Sequence, residues 1–560
     1  MESLSSLERG PTSKILAAKA PGTVILEDSK SKLKHGNDGT LVLYPQPSED
    51  PNDPLNWSHK RKIVNFSIAA FYVLMVFGML DIGVIVFQDY NTLLGISYAD
   101  LNNTFAANCV GLAFGCLVFI PFSIKYGRRP VYLVTTFALF LCAVWSAALR
   151  NYSNMIGVNL IDGLAGAVAD TIVQMTINDL FFLHQRGTMN AVYLAFVNIG
   201  VYLAPVCAGY SAAKQGWPWI YWWCAIFLGA NFLLFVFFYE ETKYVVNFGA
   251  VPVAESVPRE VTEASVVASE KHSEVPDAAV DEPSTEPQQS RTINHDIPMN
   301  SWRKRFALTT TTPGTFSEFL RHFYQPIMML GIPAVLYVSL QYGACLSWVS
   351  VVATTESDAF STDPYNFTTI GIGNLNLPPF IGAVFAAFYS GPLSDWLIIR
   401  LAKRNGGVYE PEMRLYLTIF PALIGPLGLF IYGFSVAAGD HYIIPCIGVA
   451  LYGFSQSSIQ ALSLTYLMDS YEEILGDALI GVAFVRNAIA AGIVFAVSPW
   501  IDNLGFHNCF VSIGCLSLFV MLLAIPMIIW GKKFRIMCKH RYAEYAKMQP
   551  NRGRVQGQKY

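Results

Sequence analysis

Twelve long apolar blocks limit what this 560-residue chain can fold into more than any other feature. A helix that crosses about 30 Å of hydrocarbon needs about 20 predominantly apolar residues, and each block is long enough for one. Only 14% of the residues are charged, whereas soluble domains contain about a quarter. The pattern therefore predicts an all-α membrane protein. The predicted spans are 63–88, 99–124, 131–149, 153–180, 188–213, 218–239, 324–354, 368–399, 413–436, 441–469, 475–501 and 507–530.

A polar segment between the sixth and seventh blocks divides the spans into two groups of six. It contains runs such as "DEPSTEPQQS", whose composition is typical of a solvated, disordered linker. The equal division suggests a duplication and predicts two six-helix bundles. The predicted organisation is an N-terminal tail (1–62), a first bundle (63–240), a linker (241–323), a second bundle (324–530) and a C-terminal tail (531–560).

The basic residues predict the orientation of the chain in the membrane. If the N-terminus is cytosolic, only Arg150 and Lys214 of the 37 Lys and Arg residues lie in outer loops, and Arg486 lies within a span. Cytosolic loops carry an excess of Lys and Arg, so both termini and the linker are expected in the cytosol. We expect a multi-pass protein of the plasma membrane.

Three glycosylation sequons fall at predicted outer loops, beginning at Asn102, Asn151 and Asn366. Such sequons mark accessible loops when they are used, but the short pattern also arises by chance. Both interpretations remain open from the sequence.

Composition and motifs exclude several other classes of protein. The ten cysteines form no CxxC pair, so neither a disulfide framework nor a zinc site is indicated. The net charge of −3 offers no basic surface for nucleic acid. The sequence lacks HExxH, GxSxG and GxxxxGK[ST] motifs. We therefore expect no enzyme activity, no metal, no cofactor and no nucleic-acid partner.

A similar loop follows the second and the eighth predicted spans. The first copy reads "IPFSIKYGRRPVYL" (120–133) and contains Gly127, Arg128 and Arg129. The second reads "SGPLSDWLIIRLAKRNGG" (390–407) and contains Gly391 and Asp395. Glycine lets two helix ends approach closely. An Asp and an Arg that pair across the cytosolic mouth of the bundle favour one state of a gate there.

This repeated loop resembles the signature loop of the major facilitator superfamily. The resemblance implies a fold of two six-helix bundles and a gate near the cytosolic mouth. The first copy has Ile124 where the family has its aspartate, so Asp395 is expected to be the intact gate carboxylate. Asp469, at the end of the tenth span, is assigned to the same gate.

Further motifs resemble fungal transporters of the twelve-span drug:proton antiporter family, in the branch that includes histidinol- and polyamine-type permeases. They are "DPNDPLNWS" (50–58), "DLFFLHQRGT" (179–188), "YEETKY" (239–244), "EPEMRL" (410–415), "TYLMDSY" (465–471) and "VRN" (485–487). The fifth span is similar to the antiporter motif and keeps Gly200, Pro205 and Gly209. Small residues and a proline there serve either transport or plain helix packing.

Few ionisable residues lie within the predicted spans, where each costs roughly 2.5 to 3.5 kcal/mol on insertion scales. Asp81 lies in the first span, Asp162 and Asp170 in the fourth, and Arg486 in the eleventh. The three carboxylates are candidates for binding substrate or protons, although Asp170 could also serve as a structural hydrogen-bonding group. Arg486 is expected to be mainly structural, pairing with Asp469 or Asp477 near the cytosolic gate.

Polar residues four apart form stripes on three of the spans, since such residues share a helix face. The resemblance implies that the first, fourth, seventh and tenth spans surround the substrate. The candidate substrate-facing residues are Asp170 and Gln174 in the fourth span, Tyr337, Gln341 and Trp348 in the seventh, and Gln456 and Gln460 in the tenth.

These features predict a proton-coupled secondary transporter that works by alternating access. A carboxylate near the midplane attracts a cation, and burial raises its proton affinity, so proton and substrate can compete for it. Efflux of a metabolite or drug-like compound is the favoured function. The alternatives are uptake of a cationic metabolite such as a polyamine, and a non-transporting nutrient receptor. The expected partners are a small-molecule substrate, protons and the lipid bilayer, with the protein as a monomer.

Overall fold

The computed structural model describes residues 21–25, 50–244, 298–311, 316–405 and 408–547. Within these ranges nearly all regular structure is helical. Among the described residues, ten helices are long and apolar enough to cross a membrane. The central part of the predicted linker, 245–297, most of the predicted N-terminal tail and the last part of the predicted C-terminal tail, 548–560, lie outside the described residues.

The first six predicted spans correspond to helices in the first half of the chain. A short helix, Phe87–Leu94, follows span 1, and span 5 contains a π-helical turn at Ile199–Leu203. Spans 1 to 6 are His59–Ile85, Tyr98–Tyr126, Arg128–Ala147, Tyr152–Leu180, Thr188–Gln215 (within a helix that begins at Leu183) and Pro218–Phe237.

The second half repeats this arrangement. The helix Phe316–Met329 leads into it, and span 8 contains a second π-helical turn at Tyr389–Leu393. Spans 7 to 10 are Pro333–Ser361, Thr369–Arg404, Pro411–Ala438 and Ile443–Ser470. The helix Leu475–Met521 is broken at Gly505 (φ 74°), which separates span 11 from span 12. Span 12 then continues through Ala524–Met537.

The ten apolar helices agree with the twelve predicted blocks for two reasons. The last candidate, Leu475–Met537, contains two predicted spans. The tenth predicted span, Ile443–Ser470, is helical but carries several serines and two glutamines, so it is less apolar than the others. The prediction of an all-α protein built from two groups of membrane-spanning helices is confirmed.

Close helix contacts within the first half depend on small residues. Gly111 of span 2 and Gly163 of span 4 lie against the backbone of the opposite helix, so a Cβ at either position would collide with a carbonyl oxygen. Small residues at such crossings let two backbones approach. This packing fixes the position of span 4, which carries two of the candidate carboxylates.

The bundle has two ends, which we call the linker face and the far face. The linker face carries the segments 241–244 and 298–311, and the far face is the opposite end. At the linker face a short antiparallel pair joins Val24–Ile25 to Val408–Tyr409. Arg535 donates a hydrogen bond to Thr23 Oγ1 (3.1 Å) and pairs with Glu412 (2.6 Å). The N-terminal segment 21–25 is thereby attached to the second half.

Contacts between the two halves close the far face. Tyr98 of span 2 shares a hydrogen bond with Ser361 of span 7 (3.1 Å), and Asn102 donates to Ser498 of span 11 (2.9 Å). Gly209 of span 5 packs against the backbone at the start of span 8. The conformation in the structure is therefore closed at the far face.

Candidate functional site

An ion pair joins the two halves near the middle of the bundle. Arg486 of span 11 donates to Asp170 of span 4, and both side chains are largely buried. Each residue lies 10 or 11 residues, about 15 Å, from the linker-face end of its span. Arg486 was expected to pair with Asp469 or Asp477. Its partner is instead Asp170, so the two charges predicted for separate roles form one site.

Two tyrosines and a cysteine surround this ion pair. Tyr193 of span 5, Tyr342 of span 7 and Cys116 of span 2 each lie within electrostatic range of both Asp170 and Arg486. Spans from both halves therefore contribute to the environment of the pair. Any change of charge at Asp170 acts directly on the contact between the halves.

A second group of carboxylates lies closer to the far face. Asp81 is four residues from the end of span 1, and Glu356 is five residues from the end of span 7, which places both about 6 to 8 Å from the far face. Tyr202, in the π-helical turn of span 5, lies within electrostatic range of both. Among the described residues neither carboxylate has a hydrogen-bond or ion-pair partner.

Sequence reasoning missed Glu356 because the seventh span was predicted to end at 354. The helix continues to Ser361, and Glu356 is only 7% exposed. The signal was present in the sequence. Between Pro333 and Pro364 Gly343 is the only helix-breaking residue, so a longer helix was compatible with the pattern.

Asp162 lies apart from both groups, in the interior of the first half. It lines a small cavity of about 20 Å³ together with Asn159 and Tyr221. One carboxylate oxygen accepts a hydrogen bond from Asn108 (3.3 Å), while the other has no hydrogen-bond partner among the described atoms. The cavity has room for about one water molecule. Asp162 was a candidate for binding substrate or a proton, and the structure places it within a single bundle.

The polar stripe of span 7 turns away from the centre. Tyr337 is buried against Tyr466 of span 10, and Gln341 donates to the carbonyl of Val520 in span 12 (2.8 Å). Both were expected to face the substrate and instead pack within the second half. Trp348, expected as an aromatic wall, is 2% exposed in the core of that half. The face of span 7 near Asp170 carries Tyr342, the residue next to the expected Gln341. The predicted face was therefore rotated by about one residue.

The stripes of spans 4 and 10 stay closer to the predicted arrangement. Gln174 lies next to Tyr193, which is itself near Asp170. Gln456 lies next to Tyr202, and the Gln460 carbonyl accepts a hydrogen bond from Tyr342 (3.0 Å). Spans 4, 5, 7 and 10 thus meet around the two acidic groups.

The signature loop of the first half is held by two carboxylates from the motifs "YEETKY" and "DLFFLHQRGT", for which the sequence predicted no such role. Glu241, just after span 6, accepts hydrogen bonds from the backbone N–H groups of Arg128 (3.0 Å) and Arg129 (3.1 Å). The Arg128 guanidinium pairs with Asp179 at the end of span 4 (3.0 Å). Gly127 has a φ of 110°, and a Cβ there would collide with Glu241. This loop therefore has acidic partners despite Ile124.

The Arg129 side chain reaches a different group of atoms. It donates to the carbonyls of Val236 (2.8 Å) and Phe306, and its guanidinium lies 5.3 Å from the centre of the Phe306 ring. Lys243 donates to the carbonyls of Lys125 (2.9 Å) and Thr310 (2.8 Å). Burial, together with the nearby Arg128, lowers the pKa of Lys243 to about 8. The segment 298–311 is thus bound to the first loop.

The corresponding segment of the second half, predicted as a loop, is helical as far as Arg404 and is more open. Asp395 is 71% exposed, and its carboxylate lies 3.6 Å from Arg414. Arg414 makes a closer pair with Asp469 (2.5 Å), whose carboxylate also accepts a hydrogen bond from Tyr409. A Cβ at Gly391 would meet nothing within 4 Å. Arg414 therefore pairs more closely with Asp469, at the end of span 10, than with Asp395.

The three sequons differ in accessibility. Asn102 is 9% exposed and bonded to Ser498 at the interface of the halves, so a glycan on it would disrupt the closed far face. Asn151 and Asn366 are exposed at the far face. The prediction of glycosylation is therefore restricted to these two.

Comparisons with known proteins agree with this architecture. A model of the Major Facilitator Superfamily matches residues 66–494. An uncharacterized MFS-type transporter of Schizosaccharomyces pombe is 32% identical, over 93% of this chain and 94% of that protein. Protein HOL1 of Saccharomyces cerevisiae is 27% identical, over 92% of this chain and 93% of that protein.

A solved structure shares the fold at low sequence identity. The crystal structure of a D-xylose-proton symporter is 15% identical, with a TM-score of 0.56 over 83% of this chain and 97% of that chain. The match to the family model extends over most of the chain, and the relatives are fungal proteins of similar length. The chain therefore belongs to the major facilitator superfamily, and it is a multi-pass membrane transporter rather than an enzyme.

Proposed function

We propose that the protein is a proton-coupled transporter of a small organic cation, working by alternating access in the plasma membrane with both termini in the cytosol. The observation that carries this proposal is the buried ion pair between Asp170 and Arg486, which bridges the two halves. A proton or a cation that binds Asp170 competes directly with Arg486. Binding is thereby linked to the contact that must change when the halves rock.

The energetics support a switch at this position. Breaking a buried pair by removing one partner costs about 3 to 5 kcal/mol, because the remaining charge is left without compensation. A ligand that replaces Arg486 at Asp170 must therefore supply comparable energy through its own charge and contacts. A substrate with a positive charge meets this requirement.

The second acidic group supports a cationic substrate. Asp81 and Glu356 come from opposite halves and lie beneath the closed far face, with Tyr202 near both. A cation between two carboxylates gains electrostatic energy from each, and an aromatic ring adds a cation–π contribution. Aliphatic amines with one or two charges fit this chemistry.

The direction of transport depends on whether proton and cation exclude each other. If they compete for Asp170, the inward proton gradient drives export by exchange, which is the favoured direction. Uptake together with protons is the second candidate, because Asp81 and Glu356 provide further carboxylates that can hold a proton while substrate is bound. Both directions use the same residues.

The test is flux in proteoliposomes with an imposed pH gradient, using a panel of radiolabelled aliphatic mono- and diamines. We expect Asp170→Asn to reduce proton-driven flux at least tenfold. The variant Asp170→Asn/Arg486→Gln, which leaves no buried unpaired charge, separates loss of coupling from loss of folding. Normal proton-driven flux in Asp170→Asn would overturn the proposal.

A matched pair on span 7 tests the second acidic group. Glu356→Gln should weaken amine transport, whereas Asp358→Asn, which changes an exposed carboxylate two residues away, should leave it unchanged. Equal effects of the two variants would contradict a substrate role for Glu356. Amine binding without flux in any gradient would instead support the non-transporting receptor.

A further inference from the structure

A groove at the linker face shares no lining residue with the ion pair or with the second group of carboxylates. It has a volume of about 910 Å³ and three walls. One wall comes from residues 51–65, before and at the start of span 1. The second comes from 237–240 at the end of span 6, and the third from 298–306 in the predicted linker. Its volume lies within the range of small-molecule sites, about 300 to 1,000 Å³.

The third wall of the groove is fixed by specific contacts. Asn52 donates to the carbonyl of Pro298 (3.2 Å) and accepts from the N–H of Asn300 (2.7 Å). Arg305 makes two parallel hydrogen bonds to Glu240 (2.9 and 2.7 Å), the fork geometry that gives strong Arg–carboxylate pairs. The groove is therefore formed by segments that are bonded to one another.

Glu240 at the base of the groove is committed to two arginines. It also pairs with Arg61 at the start of span 1. Burial tends to raise the pKa of Glu240, but the hydrogen bonds from Arg305 and Arg61 outweigh it and lower the pKa below its ordinary value. The carboxylate therefore stays charged, and it compensates one of the two arginines.

The groove carries an excess of positive charge. Its lining includes Lys60, Arg61 and Arg305 against the single carboxylate of Glu240, which leaves two uncompensated positive charges. Lys60 is exposed and has no ion-pair partner among the described residues. Arg303 and Lys304 are exposed on the same helical turn as the third wall. An anionic group fits this end of the groove.

Another part of the groove lining is apolar. Phe237 and Phe238, at the end of span 6, and Val64, in span 1, are exposed on the outer surface of the bundle. Trp302 is 70% exposed beside them, and tryptophan is enriched where hydrocarbon meets headgroups. A ligand that fills the groove therefore needs both an anionic head and an apolar tail.

We propose that this groove binds an anionic phospholipid of the leaflet at the linker face, with its headgroup at Lys60 and Arg305 and its acyl chains along Phe237 and Val64. The inference rests on the proposed orientation, because the cytosolic leaflet is the one rich in anionic lipids. The lipid contacts span 1, span 6 and the segment 298–306 together. It therefore binds the linker to the first bundle.

The test uses the full-length protein in detergent, titrated with short-chain phosphatidylserine and followed by native mass spectrometry. We expect Lys60→Gln/Trp302→Ala to weaken phosphatidylserine binding at least fivefold relative to the unchanged protein. Lys533→Gln/Lys539→Gln is the matched control, because it removes exposed basic charge elsewhere at the linker face. It should leave the affinity within twofold.

Three outcomes would overturn the proposal. If the Lys60→Gln/Trp302→Ala variant bound phosphatidylserine as tightly as the unchanged protein, the groove would not hold the lipid. Equal binding of phosphatidylcholine would show that the positive charge has no role. If glycerophosphoserine, which lacks acyl chains, displaced bound phosphatidylserine as well as phosphatidylserine itself does, the site would take a soluble phosphate rather than a lipid.

Discussion

The two signature loops occupy equivalent places in the two halves but are held in different ways. In the first half, Glu241 covers the backbone of Arg128 and Arg129, and all three residues are buried. In the second half, Asp395 is largely exposed and lies 3.6 Å from Arg414. One loop is therefore fixed in this conformation, while the other has a carboxylate free to change partner.

The difference shows that the two halves carry a similar segment at the same place while the partners of that segment differ. The first loop lacks the aspartate that the family has at Ile124, and carboxylates from span 4 and from the end of span 6 take its place. These contacts also attach the first loop to the segment 298–311 through Arg129. We infer that the first loop serves as the fixed base of the gate and that the second loop moves.

Removing the carboxylate of Glu241 should produce the largest difference between the loops. Glu241→Ala leaves two backbone donors at the buried start of span 3 without an acceptor, which costs about 2 to 3 kcal/mol. The same change at the exposed Asp395 should cost at most about 0.5 kcal/mol. Unfolding of both variants in mixed detergent micelles measures the costs, and equal values would remove the distinction.

Two glycines, one from each loop, provide the next comparison, although they are not at equivalent positions, since the alignment of Ile124 with Asp395 places Gly127 opposite Ile398. Gly127 has a positive φ and lies against Glu241, whereas the Cβ position at Gly391 is open. Gly127→Ala should therefore destabilise the protein by about 1 to 2 kcal/mol, and Gly391→Ala should have little effect. Thermal unfolding in detergent is the measurement. A comparable loss for Gly391→Ala would show that the second loop is also tightly held.

The sequence predicted the spans well because each one satisfies the same physical requirement. A helix in lipid must be long and apolar, and this requirement is visible residue by residue in a single chain. The predicted start of span 4 at 153, for example, lies one residue from the observed Tyr152. The break at Gly505 also falls between the predicted spans 11 and 12.

The partners of the charged residues were harder to predict, because they depend on how helices rotate and pack. Asp170 and Arg486 are 316 residues apart in the chain, and nothing in either span alone indicates their pairing. Gln341 was assigned to the wrong face, because span 7 is polar on more than one side. Glu241 lies in the quoted motif "YEETKY", but the motif alone does not show that its carboxylate accepts hydrogen bonds from the start of span 3.

The two carboxylates that pair with Arg414 test whether the second loop moves. Asp469→Asn removes the close partner of Arg414 and should cost about 1 kcal/mol of stability. Asp395→Asn should leave stability within about 0.5 kcal/mol yet slow transport, because we infer that Asp395 pairs more closely with Arg414 when the second loop moves. Stability and amine flux measured on the same preparations separate the structural role of Asp469 from the gating role of Asp395. Unchanged flux in Asp395→Asn would rule out its part in the gate.

The smallest expected effect concerns the pH dependence of the first loop. The pKa of Lys243 is lowered to about 8 from its ordinary value of 10.5, so between these values the unfolded chain binds more protons than the folded chain. Stability attributable to Lys243 should therefore rise with pH across this window. Lys243→Gln keeps donors for both carbonyls but cannot titrate, so the rise should be absent in that variant.

Unfolding measured from pH 7 to pH 10 should show a gain in the stability of the unchanged protein of about 0.5 kcal/mol, a value already reduced for solvent screening. Lys403→Gln, in the exposed second loop, should retain the full rise. The same slope in Lys243→Gln would mean that the first loop is as open to water as the second.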